Sequence, residues 1–273
     1  MALNINDLMG SFTGKVILIT GASSGIGKAL ALQMAGREVQ LILASRRLNE
    51  LKVVQDACHQ KGARCFTFAL DISSSVSISD FTTAVGNQFK TIDILVNNAG
   101  ISQRSKAEET ALEVDRRIME VNFFGQVSLT KSLWPLLINS THANIVLISS
   151  VVGTFGFSQR SAYSASKHAL EGFFESWMIE NTRPNIHFTT VSPGRIYTNI
   201  SYSALKADGT SHQQLDTGQA NGISAEVCAE KIIKAIHSDK RKVYIVKNEI
   251  VMIMLRKCFP YLFFKIARKL KSV

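Results

Sequence analysis

The stretch Tyr163-Ser-Ala-Ser-Lys167 sets a phenol and an ammonium four residues apart in a helix-forming run. At that spacing both side chains leave one face of a helix, close enough for each to alter the other's proton affinity. A phenol in water has a pKa near ~10 and is a weak base at neutral pH. A fixed cation beside it favours the phenolate and moves its proton exchange toward the working range. The pair therefore predicts a group that gives or takes a proton. Tyr and Lys at this spacing also occur as a plain surface pair, so the chemistry depends on what the rest of the chain builds around them.

From Val16 onward the chain alternates short apolar runs with longer amphipathic segments. The runs are Val16–Thr20, Leu41–Ala44, Phe66–Leu70, Ile92–Val96, Ile145–Ile148, Phe188–Val191 and Val243–Val246. Strands apolar on both sides belong in a parallel sheet covered by helices on both faces. Seven of them, with helical stretches near 26–36, 48–61, 75–89, 108–138, 162–181 and 224–238, predict an α/β, Rossmann-type, doubly wound, seven-stranded parallel sheet in a single domain. We take 1–249 as that domain. It includes a Gly-, Ser-, Thr- and Asn-rich stretch at about 195–222 that reads as a substrate lid, and 250–273 reads as a basic, apolar C-terminal tail.

Composition narrows the function. The chain has 273 residues, 46% of them apolar, and a net charge of +10. Six of those positive charges (Arg256, Lys257, Lys265, Arg268, Lys269 and Lys271) fall in 250–273 without an Asp or Glu. The body lacks a basic stripe interleaved with aromatics, which argues against a nucleic-acid partner. Cys58, Cys65, Cys228 and Cys258 show no CxxC or zinc spacing and read as reduced packing residues of a reducing compartment. The six histidines lack metal spacing, so no metal is expected. Met1–Gly14 has no basic n-region followed by a long apolar run, so neither a secretory signal nor an N-terminal anchor is expected.

The first run ends in Thr20-Gly-Ala-Ser-Ser-Gly-Ile-Gly27 and passes directly into a helix. Gly21 permits the tight turn, Gly25 lets the backbone approach a ligand, and Gly27 lets the helix pack close to the strand. The positive end of the helix then faces a pyrophosphate. Gly21, Ser23, Ser24, Gly25, Ile26 and Gly27 form the expected phosphate cradle, against the alternative of an ordinary glycine-rich turn. The second run ends Ala44-Ser45-Arg46-Arg47, where an NAD-preferring fold would place an acid for the ribose 2′-OH. Ser45 and Arg46 offer a hydroxyl and a guanidinium fork suited to a 2′-phosphate, which predicts NADP(H). The alternative is that Arg46 and Arg47 start the next helix in solvent.

Asp71 at the third strand end can bond an adenine amino group. The turn Asn97-Asn98-Ala99-Gly100 at the fourth can pass behind the adenosine ribose. Either could equally be turn chemistry, the better reading for Asn97, whose side chain would brace neighbouring backbone. Asn122 and Gly125 lie inside a long helical stretch that neither favours. A local distortion exposing a carbonyl to water would account for them, as would a tight packing contact, and Pro135 should end or kink the same helix. Ser150, at the fifth strand tip, can orient a substrate carbonyl or simply cap a turn.

In order and spacing, Thr20-Gly21-xxx-Gly25-x-Gly27, Asn97-Asn-Ala-Gly100, Asn122, Ser150, Tyr163-xxx-Lys167 and Pro193-Gly194 resemble the short-chain dehydrogenase/reductase superfamily over about 12–246. The runs around Tyr163 and Ser192–Asn199 look closest to carbonyl reductases of the dehydrogenase/reductase group. That resemblance implies an NADP-dependent enzyme acting on CH–OH groups, with Tyr163 as general acid or base. Lys167 would lower its pKa and hold the nicotinamide ribose. Ser150 would orient the substrate oxygen, and Asn122 would hold a water that links Lys167 to solvent. Pro193, Gly194, Ile196 and Thr198 would contact the carboxamide. It also implies a homodimer or homotetramer. One departure is Ser24, where many NADP-using relatives place a basic residue, so the NADP reading leans on Arg46.

The expected activity is NADPH-dependent interconversion of a carbonyl and an alcohol, on a small and mainly apolar substrate near Phe155, Phe157 and Tyr202. Rival readings are a 3-oxoacyl-thioester reductase and a nucleotide-binding scaffold or redox sensor without turnover. The scaffold would need none of Ser150, Tyr163 and Lys167. The tail, interrupted by Arg256, Lys257 and Pro260, is too broken to span a bilayer. It suits either peripheral contact with an anionic membrane or packing on a subunit neighbour, which makes the expected location cytoplasmic, with or without a peripheral membrane contact.

Overall fold

The computed structural model describes residues 12–269. The expectation about an N-terminal signal falls largely on residues 1–11, and Lys271 also lies outside the described part. The seven predicted runs all form strands. In chain order these are β1 (Val16–Thr20), β2 (Gln40–Ser45), β3 (Arg64–Ala69), β4 (Ile94–Asn97), β5 (Ala143–Ile148) and β6 (Ile186–Pro193). Two short strands, β7 (Ile196–Tyr197) and β8 (Ile223–Ser224), precede β9 (Lys242–Ile245). One parallel sheet runs β3-β2-β1-β4-β5-β6-β9, while β7 and β8 pair separately.

Alternation along each strand feeds two cores. Ile17, Ile19, Leu41 and Leu43 face one layer, whereas Val16, Leu18, Ile42 and Ala44 face the other. The first layer contains α1 (Gly25–Met34), α2 (Leu48–Gln60) and α8 (Ala225–His237); the second contains α3 (Ser75–Gln88), α5 (Gly125–Ile138) and α6 (Ser161–Glu180). Burial on both faces is why the strands read as unbroken apolar runs. The order in which strands are added reverses between β1 and β4, which run parallel, and this is the crevice where an open sheet binds ligands at its strand C-termini.

The long stretch predicted as one helix over 108–138 is three pieces: α4 (Leu112–Met119), a π turn (Glu120–Phe124) and α5. Gly125 is required because a Cβ there would collide with the Ile72 carbonyl, so α5 could not sit against the β3–α3 turn. Pro135 does not end the helix, which runs on to Ile138. Leu133 and Leu137 are fully buried on either side of it, and the residue whose carbonyl it leaves unpaired, Lys131, is exposed to water.

The stretch 195–222, expected as a lid, contains β7 and a single helical turn, α7 (Thr217–Ala220), and β8 follows it directly. The last segment folds as α9 (Glu249–Cys258) and α10 (Pro260–Ala267), parted at Phe259 by the proline that starts α10. Ile253 and Phe263 are buried with Val151, Val152 and Phe155; the Phe155 and Phe263 rings meet edge to face at 5.5 Å. Among the described residues no helix is long and apolar enough to cross a membrane.

Candidate active site

The glycine turn is stapled to the β4 end. Thr20 Oγ1 accepts from the Asn98 and Ala99 N–H groups (2.9 and 3.0 Å) and donates to the Val96 carbonyl (3.1 Å). Asn98 Nδ2 donates to the Thr20 carbonyl at 2.8 Å, so this amide holds the turn in shape. Gly21 (φ +63°) and Gly25 (φ +55°) take the left-handed conformation that glycine tolerates. At Gly27 a Cβ would stand 2.5 Å from the Gly21 carbonyl oxygen, so α1 packs against the turn only without one. Ser24 precedes α1 but does not cap it. The first N–H groups and positive end of a ten-residue helix therefore meet a glycine-walled crevice, which fits a dinucleotide pyrophosphate.

Residues at the β2 tip divide the work differently from expectation. The Ser45 hydroxyl accepts from the Arg47 N–H (3.0 Å) and turns the chain. Arg47, not Arg46, reaches the glycine turn: its Nη2 donates to both Ser23 Oγ and Ser24 Oγ at 2.8 Å, while Nη1 pairs with Glu50 at 2.9 Å. Arg46 is exposed and its charge acts on Asp71. One Asp71 oxygen accepts from the Ser73 N–H (3.0 Å) and hydroxyl (2.6 Å), the turn chemistry held open above. Burial would raise this carboxyl, but the Ser73 bonds and the charges of Arg46 and Arg117 outweigh it and leave its pKa lowered. Buried Asn97 donates to Thr130 Oγ1 (2.9 Å), bracing α5 and not the adjacent backbone.

On the other side of the crevice α6 carries Tyr163 and Lys167. Its N-terminus is capped from outside by fully buried Gln103, whose Oε1 accepts from the Ala162 N–H (2.9 Å) and the Tyr163 N–H (3.4 Å). Lys167 is buried, donates from Nζ to the Ile148 carbonyl (2.8 Å) and stands 5.9 Å from the Tyr163 ring centre. Burial brings this ammonium down to about 8, opposed by Glu171 one turn further along. Burial also pushes the Tyr163 phenol above its ordinary value. The pull in the other direction comes from the Ser150 hydroxyl and from Arg104 and Arg160, not from Lys167 as the spacing alone suggested.

Asn122, inside the π turn, spends its amide on the β4 extension. Its Oδ1 accepts from the Ile101 N–H (2.9 Å), and Nδ2 donates to the Ile101 carbonyl (2.9 Å) and to Ser166 Oγ (3.0 Å). A Cβ on Gly100 would lie 3.1 Å from Asn122 Oδ1 and 3.8 Å from Lys167 Nζ, so Gly100 fits between them. Gly194 is hemmed in likewise, because Glu249 at the start of α9 accepts from the Arg195 N–H (3.0 Å) and lies 2.8 Å from where a Cβ would be.

A single cleft of about 860 Å³ joins these parts. Ile26, Asn98 and Gly100 line its glycine-turn side, and Pro193, Gly194, Ile196 and Thr198 line another wall. Ser150, Tyr163 and Lys167 meet within it, with Phe155 and Phe157 beside them. Tyr202 does not join them: it is 53% exposed and absent from the cleft wall, and its carbonyl accepts from the Gln213 N–H at 2.8 Å. Three charged groups far apart in the chain also line the cleft, Arg104, Arg160 and Asp216. Asp216 Oδ2 accepts from Arg104 Nε (2.9 Å) and Arg160 Nη2 (3.0 Å), and also pairs with Arg104 Nη2.

Residues 15–208 match the family model described as short chain dehydrogenase. The chain belongs to the short-chain dehydrogenase family. It is 44% identical over 235 residues to the Dehydrogenase/reductase SDR family protein 7-like of Anopheles gambiae, covering 84% of this chain and 74% of that one. It is 36% identical over 260 residues to the Dehydrogenase/reductase SDR family member 7B of Mus musculus, covering 92% and 79%. A short-chain dehydrogenase/reductase from Burkholderia phymatum, solved in complex with NAD, superposes with a TM-score of 0.81 at 23% identity over 92% of this chain and 95% of that one. An alcohol dehydrogenase from Thermococcus sibiricus, complexed with 5-hydroxy-NADP, gives 0.73 at 23% identity over 85% and 95%. Membership makes the chain an oxidoreductase on a fold that binds a nicotinamide dinucleotide. For this short-chain dehydrogenase the sequence left three features unseen: the Arg47 clasp on the glycine turn, the Gln103 cap on α6, and the Arg104–Asp216–Arg160 cluster. Arg47 had a local signal, being the second guanidinium at the β2 tip. The other two join residues far apart in sequence.

Among the described residues, His142, His187 and Asp239 are the one group that brings possible metal donors within 4.8 Å. Asp239 lies against His142 (3.1 Å) and His187 (3.8 Å), and the two rings stack at 4.1 Å, which accounts for the group as a surface cluster of polar and stacking contacts.

Proposed function

We propose that this short-chain dehydrogenase interconverts a ketone or aldehyde and an alcohol with NADP(H). The observation that carries the reading is the meeting of Ser150, Tyr163 and Lys167 in the same cleft as a glycine turn shaped for a dinucleotide. The bound nicotinamide supplies or accepts the hydride. Tyr163 passes the proton to or from the substrate oxygen, and Ser150 holds that oxygen against the phenol. Lys167, still a cation at neutral pH with a pKa of about 8, offers a donor to the nicotinamide ribose, while the Ser150 hydroxyl and the charges of Arg104 and Arg160 favour the phenolate. Asn122, which fixes the backbone beside Gly100 and Lys167, anchors the water path by which that lysine exchanges protons with solvent. Pro193, Gly194, Ile196 and Thr198, which line the cleft, would hold the carboxamide. Gly21–Gly27 would hold the phosphates, and Asp71 and Asn98–Gly100 would hold the adenosine end.

NADP(H) over NAD(H) is supported by the β2 tip, which ends in Ser45, Arg46 and Arg47 with no carboxylate among them. Two guanidiniums converge there, one free in solvent and one already seated on Ser23 and Ser24. Phe155, Phe157 and Met252 give the substrate half of the cleft an apolar wall. Residues 1–249 form the catalytic unit with its lid at about 195–222, and the enzyme works as a homodimer or homotetramer. The helices α9 and α10 expose Val251, Met254, Phe259, Tyr261 and Phe264 on a segment that also carries Arg256, Lys257, Lys265, Arg268 and Lys269. That combination of apolar and basic side chains suits the surface of an anionic membrane.

The test is a panel of ketones, aldehydes, alcohols and 3-oxoacyl thioesters with NADPH and NADH oxidation as the readout. Tyr163→Phe is expected to bind NADPH normally and to lose turnover by about 10²- to 10⁴-fold. Near wild-type turnover in this variant removes Tyr163 from the mechanism. Tight dinucleotide binding with no turnover of any panel member supports the scaffold reading instead.

A further inference from the structure

The cleft contains a charge imbalance that exceeds what the proton chemistry above needs: Arg104 and Arg160 both favour the Tyr163 phenolate, yet they share a single counter-charge. Arg104 and Asp216 are 8% and 9% exposed, and the side chain of Arg160 is 14% exposed. Two buried guanidiniums therefore share one carboxylate, and they share the same oxygen of it, Oδ2. Its other oxygen, Oδ1, faces His212 at 3.7 Å. A buried cation is costly unless paired, so this cluster is one anion short.

The bonding within the cluster shows which arginine has spare capacity. Arg104 is nearly saturated: Nε and Nη2 are on Asp216, and Nη1 donates to Ser102 Oγ (2.9 Å) and the Gln103 carbonyl (2.5 Å). Arg160 is not. It gives one bond to Asp216 and one from Nη1 to the Ser158 carbonyl (3.2 Å), and its Nε has no acceptor among the described residues. Its guanidinium lies over the Phe157 ring, 5.1 Å from the centroid, which orients the plane of the fork. Arg160 immediately precedes α6, three residues before Tyr163, and both residues line the cleft. The cluster's partners come from 102–104, 157–160 and the lid at 212–216, none of them in the glycine turn or the 45–47 tip. Phosphates seated along those two segments therefore leave the imbalance as it stands.

We propose that the substrate carries an anionic group, a carboxylate or a phosphate-type oxyanion, which Arg160 binds beside Arg104 where the lid residue Asp216 closes the cleft. The apolar wall of Phe155 and Phe157 then takes the remainder, so the substrate is an amphiphilic oxo acid or its hydroxy counterpart, not the mainly apolar molecule that the sequence suggested. A planar guanidinium matches the paired oxygens of either oxyanion. The proposal rests on the carbonyl/alcohol reading of the same site.

The experiment uses the full chain with NADPH and matched probes of one aryl-oxo skeleton: the carboxylate, its methyl ester and the phosphonate, in a series that varies the carbonyl-to-anion spacing. In the wild type, kcat/KM for the best anionic member should exceed that of its ester by at least about tenfold. The preferred oxyanion separates carboxylate from phosphate recognition. Arg160→Gln should reduce the anion-to-ester ratio by about tenfold, and Arg160→Lys should restore part of it. Because both probes report on the same active fraction, the ratio is insensitive to partial unfolding. Equal or higher kcat/KM for the esters throughout the series overturns the proposal, as does an unchanged ratio in folded Arg160→Gln. If no member is reduced, titration of the NADP⁺-loaded enzyme with the carboxylate and phosphonate decides. Binding that Arg160→Gln abolishes keeps the anion site and removes the carbonyl reading; no binding overturns the anion site.

Discussion

The Lys167 ammonium is buried 5.9 Å from the centre of the Tyr163 ring and donates to the Ile148 carbonyl at the end of β5. A helix residue is thereby tied to the strand whose tip carries Ser150, so α6 and β5 hold the Tyr163 phenol and the Ser150 hydroxyl in fixed relation. The cost is a cation in a site that disfavours charge.

That cost has a measurable pH signature. The unfolded lysine titrates near 10.5 and the folded one at about 8. Between those values the unfolded chain holds a proton that the folded chain does not, so stability rises with pH across the window. The wild-type protein should gain up to about 3 kcal/mol relative to Lys167→Met between pH 8 and 10.5, read by urea unfolding. A difference that stays flat over this range contradicts the buried-cation account. Lys167→Met should also weaken NADPH binding and lower turnover, because both proposed roles of the lysine are lost.

The cofactor prediction concerns Arg46 and Arg47. Wild type should show higher kcat/KM with NADPH than with NADH. Arg46→Asp and Arg47→Asp should each reduce that preference by about ten- to a hundredfold, the loss of a charge-assisted fork. Arg47→Asp should also weaken binding of either dinucleotide, since the clasp on Ser23 and Ser24 shapes the glycine turn itself. A wild-type preference for NADH overturns the assignment.

Gln103 is a positioning residue. Gln103→Ala removes the acceptor for the first N–H groups of α6 and the donor to Ser105, Thr110 and Ser161. Loss of a helix cap costs about 1 kcal/mol, and buried partners left unsatisfied raise that to about 2–3 kcal/mol. Thermal unfolding should show the loss of stability. A lower kcat with KM for NADPH unchanged would mark the displacement of Tyr163, and an unaltered Tm would remove Gln103 from this role.

The exposed side chains of α9 and α10 predict co-sedimentation with vesicles containing phosphatidylserine, weakening as salt rises. Reversal of Lys265, Arg268 and Lys269 to Glu leaves buried Ile253 and Phe263 in place and should abolish the binding. Full-length protein that stays in the supernatant at low salt excludes the membrane reading.

Much of this molecule is written locally in the chain. The five inner strands read as continuous apolar runs because they are buried on both faces, and the half-buried edge strands β3 and β9 carry enough apolar residues to read the same way; the helices read from their own periodicity, although the start of α6 takes its cap from Gln103. The glycine spacing, the Tyr163–Lys167 interval and Ser150 at a strand tip are legible for the same reason: their geometry is fixed by one turn or one strand end. The break at Asn122 was legible as a conflict with helix propensity, but the partners that hold Asn122 there, Ile101 and Ser166, lie 21 and 44 residues away. What the tertiary structure decided are pairings across long separations. Asp216 meets Arg104 across 112 residues, Gln103 meets Ala162 across 59, and Arg47 meets Ser23 across 24. A periodicity or motif records which face a residue occupies on its own element, but not which charge from another element stands opposite. The direction of the Tyr163 shift, the partner of each arginine and the electrostatic sign of the cleft arise from burial and from those cross-chain neighbours, which exist only once the sheet has been assembled.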